Sequence, residues 1–312
     1  MKITKRSQAS GRTDIRLLRG SRRWLAVLAV TCAGVTSSFA VDAPPLPPLT
    51  TVSGSPRLPG KFVWADLVTD DVPVARKFYA QLFGWQFWDM GDYTIALNDE
   101  RPLCGMFQRL RPKDRVAEPR WFGYISVGSV ERVQGAVTKA GGRVLAAPRQ
   151  MPKRGDQAVF ADPEGAVFGV VKSSAGDPED FLAEPGEWIW IQLLSRDARK
   201  AAEFYRKVAG YDVVENTANN RLNDYVLTSK GYARATVRTI PSANTQVQPT
   251  WLPFVRVKNV GESVAQAKQL GGKVRIEPKP ELFDGKVAVI ADPTGAVIGI
   301  LEWREGMLKG GR

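Results

Sequence analysis

The feature that most limits what this chain can fold into is that most of it is written twice. Trp64, Phe78-Tyr79 and Gly84 return as Trp190, Phe204-Tyr205 and Gly210, each 126 positions later. Trp121, Val127, Gly141-Gly142, Pro148, Asp162-Pro163, Gly165 and Gly169 return 130 positions later, as Trp251, Val257, Gly271-Gly272, Pro278, Asp292-Pro293, Gly295 and Gly299. A single four-residue insertion reconciles the two offsets. Ordered recurrence over this span means a duplicated structural unit, so each repeat must have the same fold. The boundaries follow: 61–172 and 186–303 are the two domains, joined by an acidic, Pro/Gly-rich linker at 173–185. Residues 41–60 carry six prolines and read as an extended tether, and 304–312 as a polar tail.

Within a repeat the hydrophobic period switches between two and about 3.6. Val63 to Val68 alternates as a strand. Asp70 or Asp71 then caps a helix that places Ala75, Phe78, Leu82 and Phe83 on one face, and Gly84 stops it. Strands follow around Tyr93 to Leu97 and Leu103 to Arg109. The pattern restarts with a strand from Trp121 to Val127, a helix from Val130 to Ala140 ended by Gly141-Gly142, and strands near Val144, Val159 and Val167. Each repeat therefore holds two strand-helix-multistrand modules, and the chain four.

Several chemistries are excluded by what the 312 residues lack. Histidine is absent, which removes Ser-His-Asp and Cys-His catalysis and every His-ligated metal site. The net charge of +12 invites a polyanion partner, but eight basic residues fall in the first forty positions against Asp14 alone. The remainder is only mildly basic and shows no Lys/Arg-plus-aromatic stripe, so no nucleic-acid partner is expected. That basic stretch precedes an apolar run from Trp24 to about Val35 and the small residues before Ala40, the layout of a cleaved signal peptide at 1–40. The run is too short to span a bilayer, so no stable membrane insertion is expected after cleavage. Ser21-Arg22-Arg23-Trp24-Leu25 partly resembles a twin-arginine signal, which leaves Sec and twin-arginine routes to the periplasm or the medium both open. Of the two cysteines, Cys104 alone lies in the mature chain and reads as a small buried hydrophobe.

The order of these marks, Phe78-Tyr79 before Gly84-Trp85 and Asp162-Pro163-Glu164-Gly165 before a last strand, both repeated, resembles the vicinal oxygen chelate superfamily of glyoxalases, bleomycin-resistance proteins and extradiol dioxygenases. The resemblance implies an α+β fold of two tandem domains, each of paired βαβββ modules that curve one sheet around a cleft. It also implies metal-ligand positions: a His or Gln on the first strand, a His on the strand opening the second module, and a Glu after the Asp-Pro-x-Gly turn. Those positions hold Trp64, Phe122 and Gly169 in one repeat and Trp190, Leu252 and Gly299 in the other. None coordinates a divalent cation, so neither metal nor another cofactor is expected.

Strand alternation assigns the cleft walls. Ala65 and Leu67 suit the helix-covered face, which turns Trp64, Asp66 and Val68 to the cleft. Ile189, Ile191 and Leu193 face inward in the second repeat, leaving Trp190, Gln192 and Leu194 on the cleft side. Phe122, Tyr124 and Ser126 line the first cleft, and Leu252, Phe254 and Arg256 the second. The expected ligand is a small aromatic or apolar molecule, held by Trp64, Tyr93, Phe122, Tyr124, Trp190, Gln192, Phe254 and Arg256 in a metal-free cleft. Trp64 and Trp190 serve either as stacking platforms or as plugs, and Arg256 either clamps an anion or is a solvated strand residue. Asp66 is the candidate acid-base group of an alternative, metal-independent lyase- or isomerase-like enzyme, against the plainer reading of a hydrogen-bonded structural carboxylate. A third alternative is a degenerate scaffold for protein association, and a homodimer stays open.

Overall fold

The computed structural model of this chain describes residues 46–50, 52, 54–108, 118–216 and 224–303. The expected signal peptide, the first residues of the tether, Arg109 and the polar tail lie outside them. Repeat one runs β1 (Phe62–Thr69), α1 (Val72–Phe83), β2 (Gln86–Met90), β3 (Tyr93–Asn98), β4 (Arg101–Gln108), β5 (Arg120–Ser126), α2 (Val130–Lys139), β6 (Arg143–Met151), β7 (Gly155–Ala161) and β8 (Val167–Ser173). Repeat two follows the same order: β9 (Trp188–Ser195), α3 (Ala198–Ala209), β10 (Asp212–Glu215), β11 (Tyr225–Ser229), β12 (Tyr232–Thr239), β13 (Thr250–Val257), α4 (Val260–Gln269), β14 (Lys273–Ile276), β15 (Val287–Ala291) and β16 (Val297–Glu302). The helices start and stop where the sequence says they should. Asp71, Ser129, Asp197 and Asn259 cap them through their side chains, and Gly84 and Gly210 end α1 and α3 in the left-handed region, at φ 78° and 75°. The short exposed strands β2 and β10 have no clear alternation and escape a reading by period alone.

Each repeat closes its two modules into one eight-stranded sheet, ordered β2-β3-β4-β1-β5-β8-β7-β6 and β10-β11-β12-β9-β13-β16-β15-β14. The module-opening strands meet at the centre, where β1 runs antiparallel to β5 and parallel to β4. This is the α+β architecture of two tandem domains built from paired βαβββ modules.

The helices lie between the two sheets, and the two larger cores each draw on both repeats. One core joins Ala65, Leu67, Phe78 and Tyr79 of the first repeat to Val260, Val264 and Ile298 of the second; the other joins α2, β7 and β8 to α3, β9 and β12. Both repeats fall within one compact unit.

The repeated landmarks turn out to be the parts of this shared interface. Tyr79 donates to Asp292 across the repeats at 3.0 Å and accepts from Trp121 at 2.9 Å. Tyr205 donates to Asp162 at 3.1 Å and accepts from Trp251 at 2.8 Å. Each aspartate also shapes its own turn, its other oxygen accepting backbone N–H groups such as those of Ala166 and Ala296. Gly142 and Gly272 leave room for the other repeat's phenylalanine, because a Cβ there would stand 3.2 Å from the ring of Phe204 and 2.9 Å from that of Phe78.

Both connecting segments are docked on the domains. In the linker, Asp177 is fully buried and accepts from the Leu58 amide and the Ser126 hydroxyl, both at 2.5 Å. The tether is also docked, for Leu46 and Leu49 are each only 7% exposed.

Candidate functional site

The cleft faces of the two sheets point away from the shared cores. On the first, β1 and β5 pair Trp64 with Tyr124 and Asp66 with Phe122, so period-two alternation delivers all four to one wall. β3 adds Tyr93. These residues gather with Leu49, Ile95 and Val171 in an apolar cluster around a single carboxylate. Asp66 is 4% exposed and accepts three hydrogen bonds: from Trp64 Nε1 at 2.9 Å and Tyr93 Oη at 2.5 Å on one oxygen, and from Tyr124 Oη at 2.8 Å on the other. Burial raises this carboxyl above its ordinary value, and the three donors work against that shift. Burial and then the Asp66 charge push both phenols well above their usual range, which keeps them as donors.

The packing requires Gly105, the β4 residue opposite Asp66. A Cβ there would lie 1.8 Å from Tyr93 Oη and 2.4 Å from Asp66 Oδ1. Gly105→Ala is therefore expected to destabilise the protein by about 1–3 kcal/mol, the ordinary range for overpacking, and denaturant unfolding measures it.

Arg154 completes the site and was not identified from the sequence. It sits in the β6–β7 turn, where Lys153 and Gly155 both take positive φ (64° and 112°), and its side chain enters the cleft with 1% exposure. The guanidinium lies over the Trp64 ring at 4.0 Å from its centroid, and Nε donates to the Pro47 carbonyl at 2.7 Å. Nη2 is buried without a partner. One signal was available in the repeat. Gln192 replaces Asp66 at the first offset, and Asp284 replaces Arg154 at the second, so the first repeat alone carries this acid and base together.

The second cleft is plainer and more open. Trp190, Gln192, Val287, Val297 and Leu301 are half-buried around Leu252, Phe254 and Val289. Trp190 Nε1 donates to Thr236 at 3.1 Å, and the Thr236 hydroxyl donates to Gln192 at 3.4 Å. Ile189, expected inward, joins the cleft side, because a bulge in the β9–β13 pairing shifts the strand at this point. The Arg256 guanidinium is committed to backbone carbonyls, Ala183 at 2.5 Å and Trp303 at 2.9 and 3.2 Å, and so fastens the linker to the segment after the last strand.

The donors do not fit the metal of the resembled superfamily. Tyr124 lies against Gly169 and Phe254 against Gly299, so that a Cβ at either glycine would stand 2.3 or 2.2 Å from the ring. An acidic ligand at those positions has no room while the ring stays. Trp64 and Phe122 offer no oxygen or imidazole, and Asp66 already serves three donors. Among the described residues no group of three or more Cys, Asp or Glu is arranged to hold an ion. A cavity of about 420 Å³ lies elsewhere, between the repeats beside Phe62, Trp188 and Phe181. The cations at its rim, Lys61 and Arg234, are paired with Asp180 at 3.1 and 2.7 Å, and the buried polar cluster lies in the first cleft instead.

A fold of paired βαβββ modules with two outward clefts defines a class, and comparison with known proteins agrees. The chain belongs to the Glyoxalase/Bleomycin resistance protein/Dioxygenase superfamily, matched at residues 61–170 and 189–300. It is 29% identical over 263 residues to the anthracycline biosynthesis protein DauV of a Streptomyces species, covering 79% of this chain and 94% of that protein. The related protein DnrV of Streptomyces peucetius is 28% identical over 271 residues, covering 80% and 95%. Among solved structures, the Mn(II)-bound glyoxalase of Novosphingobium aromaticivorans superposes with a TM-score of 0.51 at 17% identity, covering 78% and 82%. The substrate complex of homoprotocatechuate 2,3-dioxygenase from Brevibacterium fuscum gives 0.54 at 14%, covering 83% and 85%. At these identities the structures share the fold, and DauV and DnrV are matched over nearly their whole length.

Proposed function

We propose that this protein is an exported small-molecule binding protein that holds a planar, largely aromatic molecule against its cleft walls without a metal. The observation that carries this reading is the filling of both superfamily metal positions by aromatic rings: Tyr124 lies over Gly169 and Phe254 over Gly299. Stacking and apolar burial then supply the affinity. The relatives named for anthracycline biosynthesis support a polycyclic aromatic ligand. Export rests on the basic, apolar and small-residue order of the first forty residues. N-terminal sequencing of the protein from its native cell is expected to begin at Val41, and a cytoplasmic chain beginning at Met1 would reject this part.

The binding test is a titration with alizarin, a planar hydroxyanthraquinone, followed by calorimetry. The more open second cleft is expected to take one equivalent. Trp190→Ala should weaken that event by the ~1–3 kcal/mol of a lost stacking platform, roughly 5- to 150-fold, and excess EDTA should leave it unchanged. Failure of alizarin to bind, indifference to Trp190→Ala, or loss of binding in EDTA each count against the reading. The raised carboxyl of Asp66 favours one other reading, a metal-independent acid-base enzyme. That reading requires turnover that Asp66→Asn abolishes while ligand binding persists.

A further inference from the structure

The segment from Leu46 to Thr50 lies in the first cleft. Its composition explains why it can lie there and why it is lightly held. Pro47 and Pro48 favour the polyproline II conformation, which repeats every three residues and so turns Leu46 and Leu49 to the same side. Both leucines are buried, and Leu49 packs in the same apolar cluster as Trp64, Phe122 and Tyr124. Among the described residues, the polar attachment of this segment to the rest of the protein is one bond, from Arg154 Nε to the Pro47 carbonyl at 2.7 Å. The donor in that bond is only half used. Nε and Nη2 form the side edge of a guanidinium, two parallel N–H groups suited to two coplanar oxygens. The single carbonyl satisfies Nε and leaves Nη2 buried without a partner. Among the described residues no carboxylate stands within ion-pair distance of this guanidinium, although the nearby Asp66 offsets its charge.

We infer that residues 46–50 form an intramolecular strap standing in for a planar aromatic ligand with two oxygen acceptors on one edge, as in a hydroxyquinone or an aromatic carboxylate, and that the Nε–Nη2 edge of Arg154 reads those oxygens. The ring of such a ligand takes the place of the Leu49 side chain against the aromatic wall, and its oxygens replace the Pro47 carbonyl while also satisfying Nη2. The strap then sets a threshold: the cleft opens to a ligand that uses both donors and stays closed to one that uses neither. The second cleft has no counterpart of Arg154, because Asp284 stands at that position. This inference rests on the reading that the clefts bind planar molecules, but it concerns a different cleft from the one tested by Trp190→Ala.

The test uses the full mature chain and two probes, alizarin, which has paired edge oxygens, and aminoanthracene, which has none. Releasing the strap with Leu46→Ser and Leu49→Ser together is expected to strengthen alizarin binding at the first cleft at least tenfold, visible as a second equivalent per chain. Adding Arg154→Gln to the released variant should abolish that gain for alizarin and leave aminoanthracene unaffected. Methyl NMR of the unaltered protein guards against misfolding of the variants: saturating alizarin should move the Leu49 methyl resonances away from the positions set by the surrounding aromatic rings. No second equivalent on release, together with unchanged Leu49 methyl resonances, would show the strap to be a permanent part of the core. A second equivalent indifferent to Arg154→Gln would remove Arg154 from recognition. Loss of the Trp190-dependent event alone condemns the proposed function instead.

Discussion

Asp66→Ala is expected to destabilise the protein by about 3–5 kcal/mol, the range seen when one member of a buried charged cluster is removed. Three donors, Trp64 Nε1, Tyr93 Oη and Tyr124 Oη, lose their acceptor in a site closed to water, and the Arg154 guanidinium loses the charge that offsets its own. For a body of this size, that corresponds to a fall in melting temperature of roughly 6–20 °C. Asp66→Asn should lose less, because its amide oxygen can still accept from Trp64 and Tyr93, and its nitrogen can donate to a Tyr124 hydroxyl that turns from donor to acceptor. The pair of variants also fixes the sign of the pH dependence. Burial raises the Asp66 carboxyl above its ordinary 3.8, so the folded protein keeps this proton over a range in which the unfolded chain has released it. Asp66 therefore favours folding below that range and opposes it progressively as the pH rises through it. The stability of the unaltered protein relative to Asp66→Asn should fall as the pH climbs from about 4. A relative stability that rises instead would mean the three donors and Arg154 outweigh burial. An Asp66→Ala loss under about 1 kcal/mol would mean the cluster is open to water.

What could be read from the sequence was decided by which residues the repeat had to keep alike. Phe78-Tyr79, Gly142 and Asp162 match their counterparts because the two repeats dock on one another reciprocally and each of these landmarks touches a landmark of the other repeat, while Trp121 holds the Tyr79 hydroxyl from within its own repeat. Duplication, the fold and the helix limits were therefore all visible from one chain. Their reciprocal contact was not, since offsets along a sequence carry no information on how two domains face each other. Phe78 and Tyr79 are core residues, and the core they occupy is one the two repeats share.

The cleft was legible in part. Alternation along β1 and β5 brings Trp64, Asp66, Phe122 and Tyr124 to one wall because side chains on a strand change face at every step. Arg154 reaches the same site from a hairpin turn, where no periodicity applies and left-handed φ at Lys153 and Gly155 sets the direction. The mirror case is Arg256, which alternation turns to the cleft side but whose length lets it reach the Ala183 and Trp303 carbonyls at the strand's end. The proline-rich stretch misled for a related reason. Its composition states that the chain is extended, and two leucines among the prolines are enough to dock an extended chain.

Trp251→Ala should cost about 3–5 kcal/mol and should unfold both repeats together. Trp251 is 1% exposed and is among the largest fully buried side chains, and removing the indole leaves a cavity that the surrounding strands cannot close fully. Its neighbours come from both repeats: the Phe62 ring at 4.9 Å belongs to the first and the Tyr205 ring at 5.0 Å to the second. Its N–H also holds the Tyr205 hydroxyl, which donates in turn to Asp162 of the first repeat. Loss of the indole therefore loosens a chain of contacts that crosses the interface, and the core it occupies contains α2, β7 and β8 as well as α3 and β9. Trp251→Phe separates packing from hydrogen bonding. It keeps a ring against Phe62 but leaves the Tyr205 hydroxyl with one partner fewer, and should cost less than the alanine change. Calorimetry of the alanine variant is expected to give one transition at a lower temperature, with the calorimetric and van't Hoff enthalpies in agreement. Two resolved transitions, only one of them displaced, would mean that each repeat folds on a core of its own and that the reciprocal Tyr–Asp bonds merely decorate a weak contact between independent domains.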